Sequence, residues 1–170
     1  CGVPPKTNAD WAWIQHMIAS MDPKVGRVGV VMPHGVLFRG GAEGRIRECV
    51  IKADQLEAVI GLPNNLFYST SIPACLLIFR QAKAPERRGH VLFVDGSARF
   101  TKGRNQNEMT DGDVDVLLEA YRTGLDPDGV RLVKQLPPRF AVEADPDQLY
   151  RILVNLMRNA RQAIEADPAR

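Results

Sequence analysis

The 170-residue sequence predicts an α/β fold in which helices flank a partial, mostly parallel sheet. Short apolar runs, each ended by proline, glycine or asparagine, have the length and composition of buried strands. Segments with apolar residues at helical spacing lie between these runs. The composition is that of a globular chain, since 45% of residues are hydrophobic and 25% are charged. No apolar stretch approaches the roughly 18 residues of a membrane span, so we expect no membrane contact.

The first predicted elements are a helix and a strand. Asn8 or Asp10 is placed to cap a helix that runs to about residues 19–21. The apolar run 27–32 stops at Pro33 and predicts a strand that is buried on both faces. This order is typical of an α/β sheet.

A second helix is predicted over residues 42–51, after a glycine pair. Three further strands are predicted at residues 56–62, 74–79 and 90–94. Thr110 or Asp111 is placed to cap a third helix, which Gly124 ends. The order fits the trailing half of an open sheet with a long hairpin at its edge.

The pattern changes at residues 125–129, which we interpret as a junction. A long helix follows, with Asp145 as its cap and Gln148 three residues later, the spacing of a capping box. Asn155 and Asn159 lie one turn apart on one flank of its apolar stripe.

The cysteines and the charged residues indicate the cellular environment and the possible partners of the chain. Cys1, Cys49 and Cys75 are odd in number and lack metal-type spacing, which favours a reducing, cytoplasmic location. A first residue other than methionine predicts that the chain is a fragment. The net charge is only +2, and the basic residues form either a nucleic-acid contact or a solvated surface. They cluster at Arg80, Lys83, Arg87, Arg88, Arg99, Lys102 and Arg104.

Several segments, in order over about residues 2–123, resemble the modification subunit of type I restriction-modification systems. They are NADWAWIQHM (8–17), GVVMPHGVLFRGG (29–41), VIGLPNNLFY (59–68), IPAC (72–75) and GRNQN (103–107). The resemblance implies a methyltransferase-type, Rossmann-like sheet. It also implies transfer of a methyl group from S-adenosylmethionine to the exocyclic amine of an adenine in DNA, with specificity and restriction subunits as partners. That amine is buried in the base stack, so the adenine has to be flipped out.

The resemblance also suggests part of a base pocket. By position, Phe67 resembles the family's aromatic residue that stacks on the flipped adenine, with Tyr68, Asn64 and Asn65 in the same loop. The alternative for Phe67 is an aromatic residue that packs against the sheet edge. His34 follows a predicted strand at the end where α/β sheets bind ligands, so it is a second candidate for the pocket. The alternative for His34 is a surface or hydrogen-bonded histidine.

Contacts to the DNA backbone have their own candidates. Arg39, Gly40 and Gly41 precede a helix whose first backbone amides could bind a phosphate. A flexible turn is the alternative for this glycine pair. Lys102 and Arg104 belong to the basic cluster near the GRNQN segment and are further candidates.

Two elements of the family's chemistry have no match in the sequence. These are the glycine-containing cofactor loop and the Asn-Pro-Pro-aromatic tetrapeptide that holds the target amine; residues 1–5 are not that tetrapeptide. Residues 1–124 therefore resemble the C-terminal part of the catalytic domain. We expect no catalytic residue in this chain, no S-adenosylmethionine bound by it alone, and no turnover.

The tail resembles a different family. Residues 130–166 are similar to the N-box region of a sensor histidine kinase ATP-binding domain, which makes 130–170 a partial domain of that type. The resemblance implies ATP binding through Asn155 and Asn159, with Asn159 at a magnesium ion. The match stops before that family's glycine-rich boxes, so we expect little ATP binding. An alternative function is thus a segment of a signalling kinase, or a chimera of two families.

Overall fold

The computed structural model of the protein describes residues 1–124, and a four-stranded sheet runs through their centre. The strands are β1 (Arg27–Pro33), β2 (Leu56–Gly61), β3 (Ala74–Arg80) and β4 (Leu92–Asp95). The helices are α1 (Asp10–Ala19), α2 (Gly35–Phe38), α3 (Gly41–Lys52) and α4 (Asp111–Thr123). A 3-10 turn (Pro85–Arg87) precedes β4, and a hairpin of β5 (Thr101–Lys102) and β6 (Asn107–Glu108) precedes α4.

The strand order is β1-β3-β2-β4. Strand β3 is antiparallel to both β1 and β2, whereas β2 and β4 are parallel. Three strands therefore run in one direction, and the reversed β3 lies between two of them. The predicted α/β class is confirmed, but most pairings of these four strands are antiparallel. A long hairpin was expected at the sheet edge, but the consecutive antiparallel strands β2 and β3 lie inside this four-stranded sheet.

Burial explains why β3 is internal and β1 is at the edge of these four strands. Both faces of β3 are largely buried. In β1 burial alternates along the strand, and Val31 on its outer face is 47% exposed. The prediction that β1 is buried on both faces is wrong, because α1 and α3 cover only one of them. A run of consecutive apolar residues does not by itself distinguish an edge strand from a central one.

Helices pack on both faces of the sheet. On one face, residues of α1 and α3 join strand residues in a core of eleven buried side chains. These are Trp11, Ile14, Met32, Val36, Ile46, Val50, Leu56, Val59, Cys75, Leu77 and Phe79. On the other face, α4 packs through Leu117 and Ala120 against Ala58, Ile60, Ile78 and Val94. Each large side chain buried in this way contributes about 1.5–3 kcal/mol.

The helix ends show which local signals determined the structure. Thr110 caps α4 and Gly124 ends it in the left-handed conformation, as predicted, and Asp113 completes a reciprocal capping box that was not predicted. Helix α1 begins after Ala9, without a side-chain cap, so the predicted cap at Asn8 or Asp10 is wrong. Helix α2 was not predicted, because four residues are too short for a periodic pattern.

The cysteines differ from expectation. Cys1 and Cys49 form a disulfide that joins the N-terminal segment to α3, a pairing that the sequence analysis did not predict. Cys75 is free and buried, and burial raises the pKa of its thiol to about 12. Its thiol thus stays protonated and acts as a small apolar side chain. Among residues 1–124, no helix has the length and apolarity needed to cross a membrane.

Candidate functional site

The predicted base-binding residues lie at one edge of the sheet, where β1, β2 and β4 end and β3 begins. Backbone hydrogen bonds hold the chain together beyond the strand ends there. The amide of His34 donates to the carbonyl of Pro73 at 3.3 Å, that of Leu62 to Ala74 at 2.9 Å, and that of Gly96 to Gly61 at 2.9 Å. We call this the carboxyl edge. In α/β proteins, ligands bind at this kind of edge.

His34 is half-buried at the carboxyl edge. Its Nε2 lies 2.8 Å from the carbonyl oxygen of Ala74, and because that oxygen can only accept, Nε2 carries the proton. Burial lowers the pKa of His34, although the bond to Ala74 and the charge of Asp95 act to raise it. The imidazole is therefore neutral at neutral pH, and Nδ1 is left as an acceptor.

The loop of residues 62–73, which we call the aromatic loop, joins β2 to β3. It begins at the buried Pro63 and then extends to the surface. Phe67 is 41% exposed and Tyr68 is 85% exposed, so neither ring is enclosed in the core. The loop turns sharply at two residues with positive φ, Asn65 (51°) and Ser69 (63°). Its rings are accessible to a planar ligand.

The β5–β6 hairpin (residues 101–108) supports the start of the aromatic loop. The amide of Asn107 donates to the carbonyl of Asn65 at 2.8 Å. The side-chain Nδ2 of Asn107 donates to the carbonyl of Asn64 at 2.9 Å and to its Oδ1 at 3.2 Å. Asn65 Nδ2 donates to the carbonyl of Asn105 at 3.4 Å. Sequence reasoning missed this contact, although the GRNQN segment was identified.

The hairpin also carries two of the predicted backbone-contacting residues. Lys102 and Arg104 are both exposed. Gly103 allows the tight turn between them, since a Cβ there would lie 2.5 Å from the carbonyl oxygen of Gln106. The two cations thus flank a turn adjacent to the aromatic loop.

Arg39, a third predicted backbone contact, is bound elsewhere. Its guanidinium lies 2.7 Å from Asp10 Oδ2 and 3.1 Å from Glu43 Oε1. These ion pairs join the start of α1 to the start of α3. Gly40 precedes α3, and Gly41 begins it with a φ of 60°, a conformation that favours glycine.

The basic cluster seen in the sequence divides between the two ends of the sheet. At the end opposite the carboxyl edge, Arg80 and Arg87 lie 3.4 and 3.7 Å from the carboxylate of the buried Glu57. Lys83 pairs with Asp54 at 2.6 Å. These three cations are structural, so within residues 1–124 the basic cluster of the sequence does not form one continuous surface.

Two surface cavities, of about 420 and 460 Å³, lie along α1, and the smaller one also borders the start of β1. Neither is lined by a predicted site residue. Within residues 1–124, no group of three or more His, Cys, Asp or Glu side chains is placed to hold a metal ion. Asn155 and Asn159 lie outside the described residues, so their predicted roles stay hypotheses.

Comparison with known proteins identifies one family. The family model described as N-6 DNA Methylase matches residues 1–163. The matched range includes most of the segment that resembles a histidine kinase; that second resemblance falls outside the described residues.

Curated relatives agree with the family model. The MjaVII methylase subunit of a type I restriction enzyme from Methanocaldococcus jannaschii is 38% identical over 138 residues, which are 79% of this chain and 23% of that protein. The HindI methylase subunit from Haemophilus influenzae is 35% identical over 130 residues, 75% of this chain and 29% of that protein. The chain thus spans about a quarter of the length of these relatives.

Solved structures show the same fold. A type I restriction-modification methyltransferase subunit from Streptococcus thermophilus matches with a TM-score of 0.69 and 41% identity, over 72% of this chain and 26% of that one. The EcoKI M protein matches with a TM-score of 0.58 and 23% identity, over 79% of this chain and 28% of that one, which supports the fold alone.

Proposed function

The chain belongs to the N-6 DNA methylase family, and on that premise we propose that it is a segment of a type I modification subunit. The complete subunit would transfer a methyl group from S-adenosylmethionine to N6 of adenine in DNA. Its partners would be DNA and the specificity and restriction subunits, and its location the cytoplasm. Relatives of this chain are named as methylase subunits of type I restriction enzymes.

One observation carries the proposal at the level of the site: Phe67 presents an accessible ring at the carboxyl edge of the sheet. A base inside duplex DNA must leave the stack before its exocyclic amine can react, and it needs a stacking partner outside the helix. Stacking on an aromatic side chain contributes about 1–3 kcal/mol per base. A ring buried in the core could not serve in this way.

The neighbouring polar residues suit the edge of a nucleobase. His34, with its neutral imidazole and free Nδ1 acceptor, lies at the same sheet edge, and a nucleobase amine is a donor. Asn64 and Asn65 add carboxamides at the base of the aromatic loop, and Tyr68 adds a second exposed ring. We propose that these residues form one wall of the base pocket.

We assign the DNA backbone contact to Lys102 and Arg104. Both are exposed on the hairpin that supports the aromatic loop, and phosphates are bound mainly by such cations. Arg39 is excluded from this assignment because its guanidinium already faces two carboxylates. The backbone amides of Gly40 and Gly41 at the start of α3 remain predicted phosphate ligands.

We propose that residues 1–124 alone do not hold S-adenosylmethionine, which supplies the electrophilic methyl group when bound. A cradle for this cofactor needs a glycine after a parallel strand, and Gly96 lies directly after β4. Its Cα faces protein and not open space, since a Cβ would lie 2.6 Å from the carbonyl oxygen of Gly61 and 2.9 Å from Leu117. We therefore propose that this segment contacts the target base and DNA, and that it does not turn over alone.

The test replaces Phe67 with alanine in a complete modification subunit that contains this segment. With 2-aminopurine at the target adenine, the wild type should give a fluorescence increase on flipping, and Phe67→Ala should reduce it. The rate of methylation should fall about tenfold to a hundredfold, which corresponds to the loss of one stacking contact.

Phe93→Ala is the matched control, because Phe93 is a similarly exposed ring (51%) on β4 and outside the aromatic loop. It should leave both the fluorescence and the rate unchanged. Equal effects of the two variants, or an unchanged rate in Phe67→Ala, would remove Phe67 from the base pocket.

A further inference from the structure

We infer that Asn107 is a positioning residue: through its hydrogen bonds to Asn64 and Asn65 it fixes the aromatic loop, and with it Phe67, for stacking on the flipped base. The inference rests on the proposed function, because it assigns Asn107 a role in the same site. Asn107 is 8% exposed, so it acts through the loop and does not itself contact the base.

The contact is a set of donors from one residue to two adjacent residues. The amide nitrogen of Asn107 donates to Asn65, and its Nδ2 donates to both the carbonyl oxygen and the Oδ1 of Asn64. All three acceptors are oxygens, so the contact requires a residue that donates from its side chain as well as its backbone. Aspartate has the same shape but cannot donate from either side-chain oxygen when ionised.

The contact with Asn107 lies close to Phe67 in the chain, so it can determine where the Phe67 ring is placed. Asn65, two residues before Phe67, has a φ of 51°, a left-handed conformation that asparagine adopts more readily than most non-glycine residues. Its described surroundings are the hairpin, through Asn107 and through the carbonyl of Asn105. Without these bonds, the left-handed turn at Asn65 would relax, and the direction in which the loop leaves Pro63 would change.

Burial distinguishes the residue that supports the aromatic loop from the residues that can contact the base. Asn107 is buried, whereas Phe67 and Tyr68 are exposed. A residue that only stabilised the fold would affect every property of the protein together. A residue that positions one loop should affect base flipping and the rate of methyl transfer, and leave binding of the methyl donor unchanged.

The experiment compares Asn107→Asp and Asn107→Ala with Asn105→Asp in the complete modification subunit. The control adds the same charge to the same hairpin, but Asn105 reaches the aromatic loop only through its backbone carbonyl. We expect both Asn107 variants to lower kcat at least tenfold and to reduce the 2-aminopurine signal, with the KM for S-adenosylmethionine unchanged. Asn105→Asp should show less than a threefold change in kcat.

A double substitution tests the route of the effect. If Asn107 acts through the aromatic loop, Asn107→Asp should cause a much smaller further loss of kcat in a Phe67→Ala background than in the wild type. Independent, multiplying losses would overturn the inference, as would equal losses in Asn107→Asp and Asn105→Asp. Phe67→Ala alone separates failure of the proposed base site from failure of the positioning role. If Phe67→Ala is fully active, the proposed base site is wrong. If Phe67→Ala is impaired but the Asn107 variants are fully active, only the positioning role is refuted.

Asn65→Gly covers the case in which the Asn107 variants do not fold. Glycine adopts the positive φ of Asn65 without strain, so this change keeps the turn and removes the Asn65 carboxamide together with its bond to the Asn105 carbonyl. We expect it to keep the thermal unfolding midpoint of the wild type and to lower kcat severalfold. An unchanged kcat in Asn65→Gly would count against a loop held by the hairpin.

Discussion

Tyr121 Oη donates a hydrogen bond of 2.6 Å to Oε2 of Glu57, and this bond joins α4 to β2. Glu57 is only 3% exposed, and its carboxylate also faces Arg80 and Arg87. The guanidinium of Arg87 lies 4.9 Å from the centre of the Tyr121 ring. Helix α4 is therefore attached to the sheet by a charge-assisted bond as well as by Leu117 and Ala120.

Tyr121→Phe should lower the free energy of unfolding by about 1–2 kcal/mol, because a hydrogen bond to a buried charged group is lost while the ring is kept. Urea denaturation followed by circular dichroism measures the change. Tyr68→Phe is the control, since Tyr68 is 85% exposed and should show no loss. Equal stabilities of Tyr121→Phe and the wild type would show that the bond contributes nothing.

The same pair predicts a dependence on pH. Burial, and then the hydrogen bond and charge of Glu57, raise the pKa of Tyr121 above its ordinary value of 10.0. The folded state therefore holds this proton more tightly than the unfolded state, so the contribution is complete below pH 10.0 and is lost as the pH rises further. The stability difference between wild type and Tyr121→Phe should stay constant up to that pH and shrink above it. A difference that grew in alkali would contradict the assignment.

Asp54→Asn should destabilise the protein by about 2–3 kcal/mol, because it leaves the buried ammonium of Lys83 without its counter-charge. The side chain of Lys83 is 1% exposed, and its Nζ lies 2.6 Å from Asp54 Oδ1. Glu48→Gln is the matched control. It breaks the 2.6 Å ion pair between Glu48 and Lys52, whose side chains are 61% and 74% exposed, respectively. Such exposed pairs contribute little to stability, because solvent and salt screen them. Similar losses in the two variants, measured by thermal unfolding, would refute the distinction.

Acid should act on the Asp54 pair as well. Burial acts to raise the pKa of Asp54, but the bonds from Lys83 and Gly89 outweigh it, and the pKa is lowered from 3.8. The contribution of this carboxylate is thus present above pH 3.8 and is lost as the pH falls through the lowered value. Asp54→Asn should show a shallower loss of stability than wild type over that acid range.

Local signals in the sequence predicted the elements better than their arrangement. The capping box of Thr110 and Asp113 lies within four consecutive residues, and α4 was predicted with its correct start and end. The central position of β3 depends on pairing with strands more than ten residues away in sequence, which no local pattern encodes. The sequence thus indicated an α/β sheet but not which strand is internal.

In the candidate site too, local features were predicted from the sequence and long-range contacts were not. The exposed edge position of Phe67 agrees with its predicted place after a strand. The role of Asn107 depends on bonds to a residue 43 positions away, and the ion pair of Arg39 with Asp10 spans 29 positions. Both are contacts that only the folded chain brings together, so sequence reasoning predicted neither of them.

Arg39 and the hairpin cations should therefore respond to different measurements. Arg39→Met should lower the free energy of unfolding by about 2 kcal/mol, because Glu43, which is 2% exposed, loses its ion pair. Lys102→Ala and Arg104→Ala should leave stability unchanged. In the complete subunit each should weaken DNA binding and reduce the slope of log affinity against log salt concentration by about 1. If Arg39→Met were as stable as the wild type but bound DNA more weakly, Arg39 would have to be assigned to the DNA contact.

Two glycine-to-alanine changes should have opposite effects on stability. At Gly96, a Cβ would lie 2.6 Å from the carbonyl oxygen of Gly61, in backbone that cannot move without breaking the pairing of β2 and β4. It would also meet Leu117 of α4 at 2.9 Å, so Gly96→Ala should cost about 1–3 kcal/mol through overpacking. Gly44 lies inside α3, where a Cβ would make only ordinary contacts at 3.8 Å, and Gly44→Ala should gain about 0.5–1 kcal/mol from helix propensity. Thermal unfolding of the two variants beside wild type measures both signs, and a Gly96→Ala protein as stable as wild type would show that α4 can move away from the sheet at this point.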